Sequence, residues 1–339
     1  MKHLIILILT SISMTITAQQ INIPRVDEMP DLPQPYLMRD WKEVARTYDS
    51  LVFDLDALGT YLPLATIFEN TVNYPAHPGL AIQSYVGTNS PPGKEAINVL
   101  PAVVGATLAG IDKSMQNGIN WPLYCEEYFN RRPAENVYLN GPQSASGNDW
   151  WYETMPNVFF YQLNYFYPNT GDFDYQVTTL ADRWLQAVYA MGGSLTPWAE
   201  PYMNYRAFNL STMIPRTDGV KQPEAAGAIA WILYQAYNIT GDEKYRVGAE
   251  LSMEFLSGWE QNPSYEIQLP YGVYAAARMN VELGTQYDID KMINWCFDRG
   301  DLRGWGVITG NWGGMDMDGL IGEVNAAAPD YVFHMNSLE

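Results

Sequence analysis

The chain has 339 residues, enough for one large domain or two average ones, and 47% of them are hydrophobic. A formal charge of -19 argues against a nucleic-acid partner, whose phosphates demand Lys and Arg, and discourages an anionic membrane surface. It leaves an acidic sugar polymer open, because a local Arg cluster can reverse the field inside a cleft. The 24 Tyr and 11 Trp point the same way, each offering an apolar face with a hydrogen-bonding edge.

Met1-Lys2-His3 supply a positive start, Leu4 to Thr17 is apolar apart from scattered Ser and Thr, and Ala18 precedes Gln19-Gln20. That order predicts a cleaved signal peptide over residues 1–18 and a periplasmic or secreted protein. The apolar run is shorter than the about 20 residues a membrane span needs, and no Cys follows it to take a lipid, so no membrane anchor is expected. Residues 19–39, with Pro24, Pro30, Pro33 and Pro35, read as an extended lead-in. A helix follows from Asp40 to Leu58, with Trp41, Val44, Ala45, Tyr48, Leu51 and Val52 on one face. Lys94 to Met115 reads as a buried helix that Pro101 kinks or restarts.

From Thr154 onward a pattern repeats. Met155–Tyr167 stops at Asn169-Thr170-Gly171-Asp172 and is followed by Tyr175–Met191. Gln222–Tyr237 stops at Ile239-Thr240-Gly241-Asp242 and is followed by Tyr245–Trp259. Tyr271–Leu283 turns at Gly284-Thr285 and continues through Asp288 to Phe297. In each unit a Gly supplies the left-handed stop and an acidic residue starts the next helix. The first helices, such as AAGAIAWILYQAY and YGVYAAARMNV, are apolar almost all round, and such a helix is buried on every side. The fold expected is therefore all-α, an (α/α)6 toroid of helical hairpins over residues 40–339. Asp330 to Glu339 reads as the start of one more buried helix. About four and a half hairpins are counted where a toroid needs six, so the ring is expected to be incomplete at the C-terminus of this sequence.

In a toroid, chemistry gathers on the loops at the mouth. The first such loop holds Asp149, Trp150, Trp151, Tyr152 and Glu153. Either the Trp side chains stack on sugars beside an acid/base carboxylate, or they fill the core and Asp149 caps a helix starting at Thr154. The second, Tyr205 to Glu224, carries Arg206 and Arg216, either a fork for a uronate carboxylate or members of surface ion pairs, and Glu224 in the first turn of an apolar helix. Glu224 is either a helix-dipole partner or a carboxyl with a raised pKa. The third is GNWGGMDMDG, with Asn311, Trp312, Asp316 and Asp318. Its carboxylates depart from a calcium-loop spacing, and Asp318 could instead cap a helix from Leu320. Glu126 and Glu127 form a further acidic pair of which one at most faces a cleft. Only His3, His77 and His334 occur, with Cys125 and Cys296, so no zinc pattern exists, and the two cysteines either pair or stay free. No metal and no cofactor is expected.

The runs GNDWWYETMPNVFFYQL, QPEAAGAIAWILYQAYNITGDEKY and GNWGGMDMDGLIGEVN resemble the six-hairpin glycosidases exported by Bacteroidota, near glycoside hydrolase family 154. The resemblance implies an (α/α)6 toroid and a β-glucuronidase-like activity on uronic-acid-containing glycans. The loop reading, and not the resemblance, makes Asp149, Glu224 and Asp316 the acid/base candidates. Trp150, Trp151, Arg216, Asn311, Trp312 and Asp318 become the substrate contacts. A polysaccharide lyase using a Tyr or His base, and a non-catalytic glycan-binding protein, are the alternatives.

Overall fold

The computed structural model describes residues 21–29, 40–82, 93–131, 135–264, 266–301, 304 and 306–307, and the backbone alone of four later strands, 311–312, 315–316, 321–324 and 331–333. The signal peptide expected over residues 1–18 lies outside the described residues. The described chain is mostly helical. In order the helices are α1 (Pro24–Asp27), α2 (Trp41–Val52), α3 (Ala96–Leu108), α4 (Trp121–Tyr124), α5 (Trp150–Phe166), α6 (Phe173–Ala190), α7 (Ala225–Thr240), α8 (Glu243–Gly258), α9 (Gln268–Glu282) and α10 (Ile289–Phe297).

The three expected hairpins form with the turn chemistry read from the sequence. Gly171, Gly241 and Gly284 all take positive φ, at +43°, +70° and +75°. The Gly241 N–H closes α7 on the Tyr237 carbonyl, and the Asp242 carboxylate then accepts the Lys244 N–H to start α8. Asp288 does the same for α10 through Lys291. Asp172 stands at the start of α6 but makes no side-chain cap there.

The helices form two layers. In the inner row α3 packs on α5, α5 on α7 and α7 on α9, while α6 and α8 cover α7, α10 covers α9 and α2 covers α3. Helix α7 is the centre: every residue from Gln222 to Tyr234 is buried, as its uniform apolarity predicts. At its start α7 touches α9 backbone to backbone, and a Cβ on Gly227 would lie 2.8 Å from the Gly272 Cα. The same expectation fails for α9, at the end of the row, where Tyr274 and Val281 are exposed. The face expected on α2 is also divided. Val52 is buried, while Trp41, Val44, Tyr48 and Leu51 are exposed. Asp49, which no apolar pattern marks, is buried instead on Lys113 at 2.8 Å.

Further differences from the sequence reading concern starts and ends. The lead-in contains one helical turn, α1, where an extended chain was expected, and Arg25 Nε ties it to the Val307 carbonyl at 2.8 Å. Helix α5 begins four residues before Thr154. The Asp149 carboxylate caps the Trp151 N–H and draws the helix back by one turn. The helix expected from Leu320 and the one expected from Asp330 are strands where described: Ile321–Val324 pairs antiparallel with Tyr331–Phe333 and with Gly306–Val307. Cys125 and Cys296 are both free, each thiol directed at the carbonyl one turn back.

Candidate functional site at the mouth of the inner helices

The inner helices run parallel. Thr107, at the end of α3, meets the Tyr167 hydroxyl at the end of α5 at 2.8 Å, and the α7–α9 contact joins their first turns. Their N-termini therefore share one end, where unsatisfied N–H groups favour carboxylates. Each N-terminus carries one: Glu95 before α3, Asp149 before α5, Glu224 before α7 and Glu266 just before α9.

Tyr152, in the first turn of α5, is 41% exposed among them. Burial and the charges of Glu95, Asp149 and Glu266 push its phenol pKa up, with Arg206 opposing. The hydroxyl is thus held protonated, as a hydrogen-bond donor. Glu95 accepts Asn140 Nδ2 at 3.0 Å and Asn98 Nδ2 at 3.3 Å. Glu95 and Glu266 are partly buried and keep a route to solvent.

Asp149 is held from several directions. Its Oδ1 accepts the Trp151 N–H and Gln222 Nε2, both at 3.0 Å, and its Oδ2 pairs with Arg206. Arg206 and Arg216 are cross-strand neighbours: the Arg206 N–H bonds the Arg216 carbonyl at 3.0 Å beside the hairpin Ala207–Asn209/Ile214–Arg216. Arg216 donates to the Asn148 carbonyl at 3.1 Å and pairs with the exposed Asp218 at 3.0 Å. Both guanidinium groups therefore flank the 147–149 loop. That loop is fixed from beneath by the fully buried Glu153, which accepts N–H groups from Gly147, Asn148 and Asp149 on one oxygen and from Phe208 on the other. Burial pushes Glu153 up to about 8, although these four N–H groups favour its charged form.

The structure brings Asp149, Trp151, Glu224 and Arg216 to one end of the molecule but gives them unequal access. Trp151 is half-buried against the core. Glu224 is fully enclosed. Trp150 has no open ring face: it is buried between Trp184 and Phe208, and its N–H bonds the Tyr205 carbonyl at 3.0 Å. The stacking role read for Trp150 is replaced by a core role, because the earlier helix start turns it inward. Asn311 and Asp316 face each other across a short antiparallel pair, with Trp312 opposite Met315. Their side chains, and all of Asp318, lie outside the described residues. Glu95 and Glu266 were not among the residues chosen from sequence, Tyr152 was named only as a member of the first loop, and Arg206 was read with Arg216 as the uronate fork. Aligning the starts of the four inner helices would have found Glu95 and Glu266.

The other acidic pair is structural. Glu127 accepts the N–H groups of Val72, Asn73 and Tyr74 at 2.7–3.0 Å, and Glu126 accepts His77 Nε2 at 3.1 Å and the Asp172 N–H at 2.5 Å. Among the described residues no group of three or more His, Cys, Asp or Glu is placed to hold a metal ion. None of the described helices is long and apolar enough to cross a membrane. No known protein family, curated protein or solved structure matches this chain.

Proposed function

We propose that this protein is an exported glycoside hydrolase, built on an (α/α)6-type toroid and acting on uronic-acid-containing glycans at the shared N-terminal end of its inner helices. The observation that carries the reading is Tyr152, half-exposed among Glu95, Asp149 and Glu266 with Arg206 beside it. Glycosidic cleavage needs two carboxyl groups across the sugar, and Glu95 and Glu266 are the pair with access. Asp149, tied to Arg206 and Gln222, orients the loop and adds charge. Arg216 meets the uronate carboxylate, and Trp151 borders the sugar. Glu224 supports from behind, while Asn311, Trp312, Asp316 and Asp318 add contacts from the later segment.

A β-eliminating lyase would use a tyrosine that gives up its proton readily, and burial, with the carboxylates around Tyr152, acts the other way. The hydrolase reading is therefore preferred over the lyase. Incubating the mature chain with uronic-acid-containing oligosaccharides and following new reducing ends is the direct test. Glu95→Gln and Glu266→Gln are expected to lower kcat by roughly 100-fold or more with unchanged melting. An unsaturated product would identify a lyase, and binding without turnover would identify a glycan-binding protein.

A further inference from the structure

Beside the mouth lies a run of aromatic side chains that the fold keeps exposed and yet fixed. Trp198, on the hairpin Ser194–Leu195/Trp198–Ala199, is 42% exposed, and its indole N–H is bonded to Glu254 Oε2 at 2.6 Å. Tyr202 is 49% exposed and packs edge-on against Phe255, the next residue of α8, with ring centroids 6.0 Å apart. On its other side Tyr202 meets Tyr205 at 5.3 Å, again edge-on. Tyr205 then joins the mouth: its carbonyl accepts the Trp150 indole N–H at 3.0 Å and the Gln222 N–H at 2.9 Å, and Gln222 in turn holds Asp149. Tyr202 and Tyr205 thus touch each other, and Trp198 is anchored on α8 at the residue before the one that Tyr202 packs on.

We propose that Trp198, Tyr202 and Tyr205 form a binding strip for neutral sugar rings of an extended glycan whose acidic unit occupies the mouth; this rests on the reading of the mouth as a glycan site. A sugar ring presents C–H groups that pack on an aromatic face. Rings already anchored at one edge lose little further freedom when a ligand covers them, so the contact costs little to form. Charge divides the two regions. Glu200, Glu250 and Glu254 border the strip, and Glu254 is raised by burial and then by the other two carboxylates. Arg246 pairs with Glu250 at 2.7 Å and is the cation in that cluster. An anionic sugar is repelled there, whereas at the mouth Arg206 and Arg216 stand among the carboxylates as local guanidinium donors that a uronate can engage. The geometry therefore selects a mixed chain over a homopolymer of uronates.

The strip can be tested on the mature chain with an array of immobilised oligosaccharides: neutral, uronate-only, and uronate-terminated chains extended by one to several neutral residues. Affinity is expected to rise as neutral residues are added to a uronate terminus. Trp198→Ala and Tyr202→Ala should each weaken the long mixed chains by about tenfold, leave the shortest uronate probe unchanged, and preserve the helical melt. Arg216→Ala, at the mouth, should weaken short and long acidic probes alike. Undiminished binding of long chains by Trp198→Ala and Tyr202→Ala would overturn the strip while leaving the mouth intact. No retention of any probe by the unaltered protein would overturn both.

Discussion

Glu153 receives four backbone N–H groups from two separate segments, the 147–149 loop and the strand at Phe208, and so couples the acidic start of α5 to the arginine-bearing hairpin. An amide cannot replace it, because its NH2 would face N–H groups that need an acceptor. Glu153→Gln is therefore expected to cost roughly 1–3 kcal/mol, read by urea unfolding, and to reduce any activity further by releasing Asp149. A melt matching the unaltered protein would show that the loop is held by other means. His77 offers a second residue-scale expectation. Its Nδ1 lies 2.9 Å from the Pro78 carbonyl and its Nε2 3.1 Å from Glu126, so both nitrogens face acceptors and both must donate. Burial alone would lower its pKa, but the Glu126 hydrogen bond, the Pro78 carbonyl and the charges of Glu126 and Glu127 raise it overall. A raised folded-state pKa means that the imidazolium stabilises the fold fully below the ordinary histidine range of about 6.5 and loses that effect as pH rises through the folded value. Unfolding free energy should fall across this window in the unaltered protein and fall less in His77→Gln; identical pH profiles would exclude the imidazolium.

At the scale of elements, the α7–α9 contact depends on two glycines that face each other. A Cβ on either would come within 2.7–2.8 Å of the opposite Cα, and backbone cannot step aside as a side-chain tip can. Gly227→Ala and Gly272→Ala should each destabilise by about 1–3 kcal/mol through overpacking, seen as a melting point several degrees lower. Gly105→Ala, on an inner helix with open space around its position, is the control and should be neutral or mildly stabilising. The hairpins themselves were legible because their punctuation is local: Gly171, Gly241 and Gly284 must turn left-handed, and Asp242 and Asp288 must cap, whatever surrounds them. The start of α5 was not legible, because it is set by the Asp149 cap on the Trp151 N–H, and Asp149 is in turn held by Arg206 and Gln222, 57 and 73 residues away. The strands after Gly306 were missed for the same reason. A short run such as Ile321–Val324 shows its pairing only when its partners are beside it.

Over the whole molecule, the acidic average is met at one end by arginines and helix N-termini that face a cluster of carboxylates. The chain carries -19, yet the parallel inner helices aim their partial positive ends at the mouth, and Arg206 and Arg216 stand there too. Composition told us to look for a local reversal of field but not where, since Arg206, Tyr152, Glu95 and Glu266 become neighbours only through helix packing. Away from the mouth the negative excess is largely uncompensated, and like charges on a compact surface repel more than the same charges on an unfolded chain. Exposed pairs such as Lys244–Asp182 at 2.9 Å and Arg278–Glu282 at 2.7 Å pull in the opposite direction, but pairs of this kind contribute little each. Repulsion should therefore dominate. Raising salt from about 0.01 M to about 0.15 M shortens the screening length from ~30 Å to ~8 Å, so the melting temperature should rise over that range. On the proposed function, the same salt should weaken the binding of an acidic glycan through Arg206 and Arg216 and leave contacts with neutral rings unchanged. Scanning fluorimetry across that series measures the first effect and glycan binding the second. A melting temperature that fell with salt would mean the surface pairs outweigh the net charge.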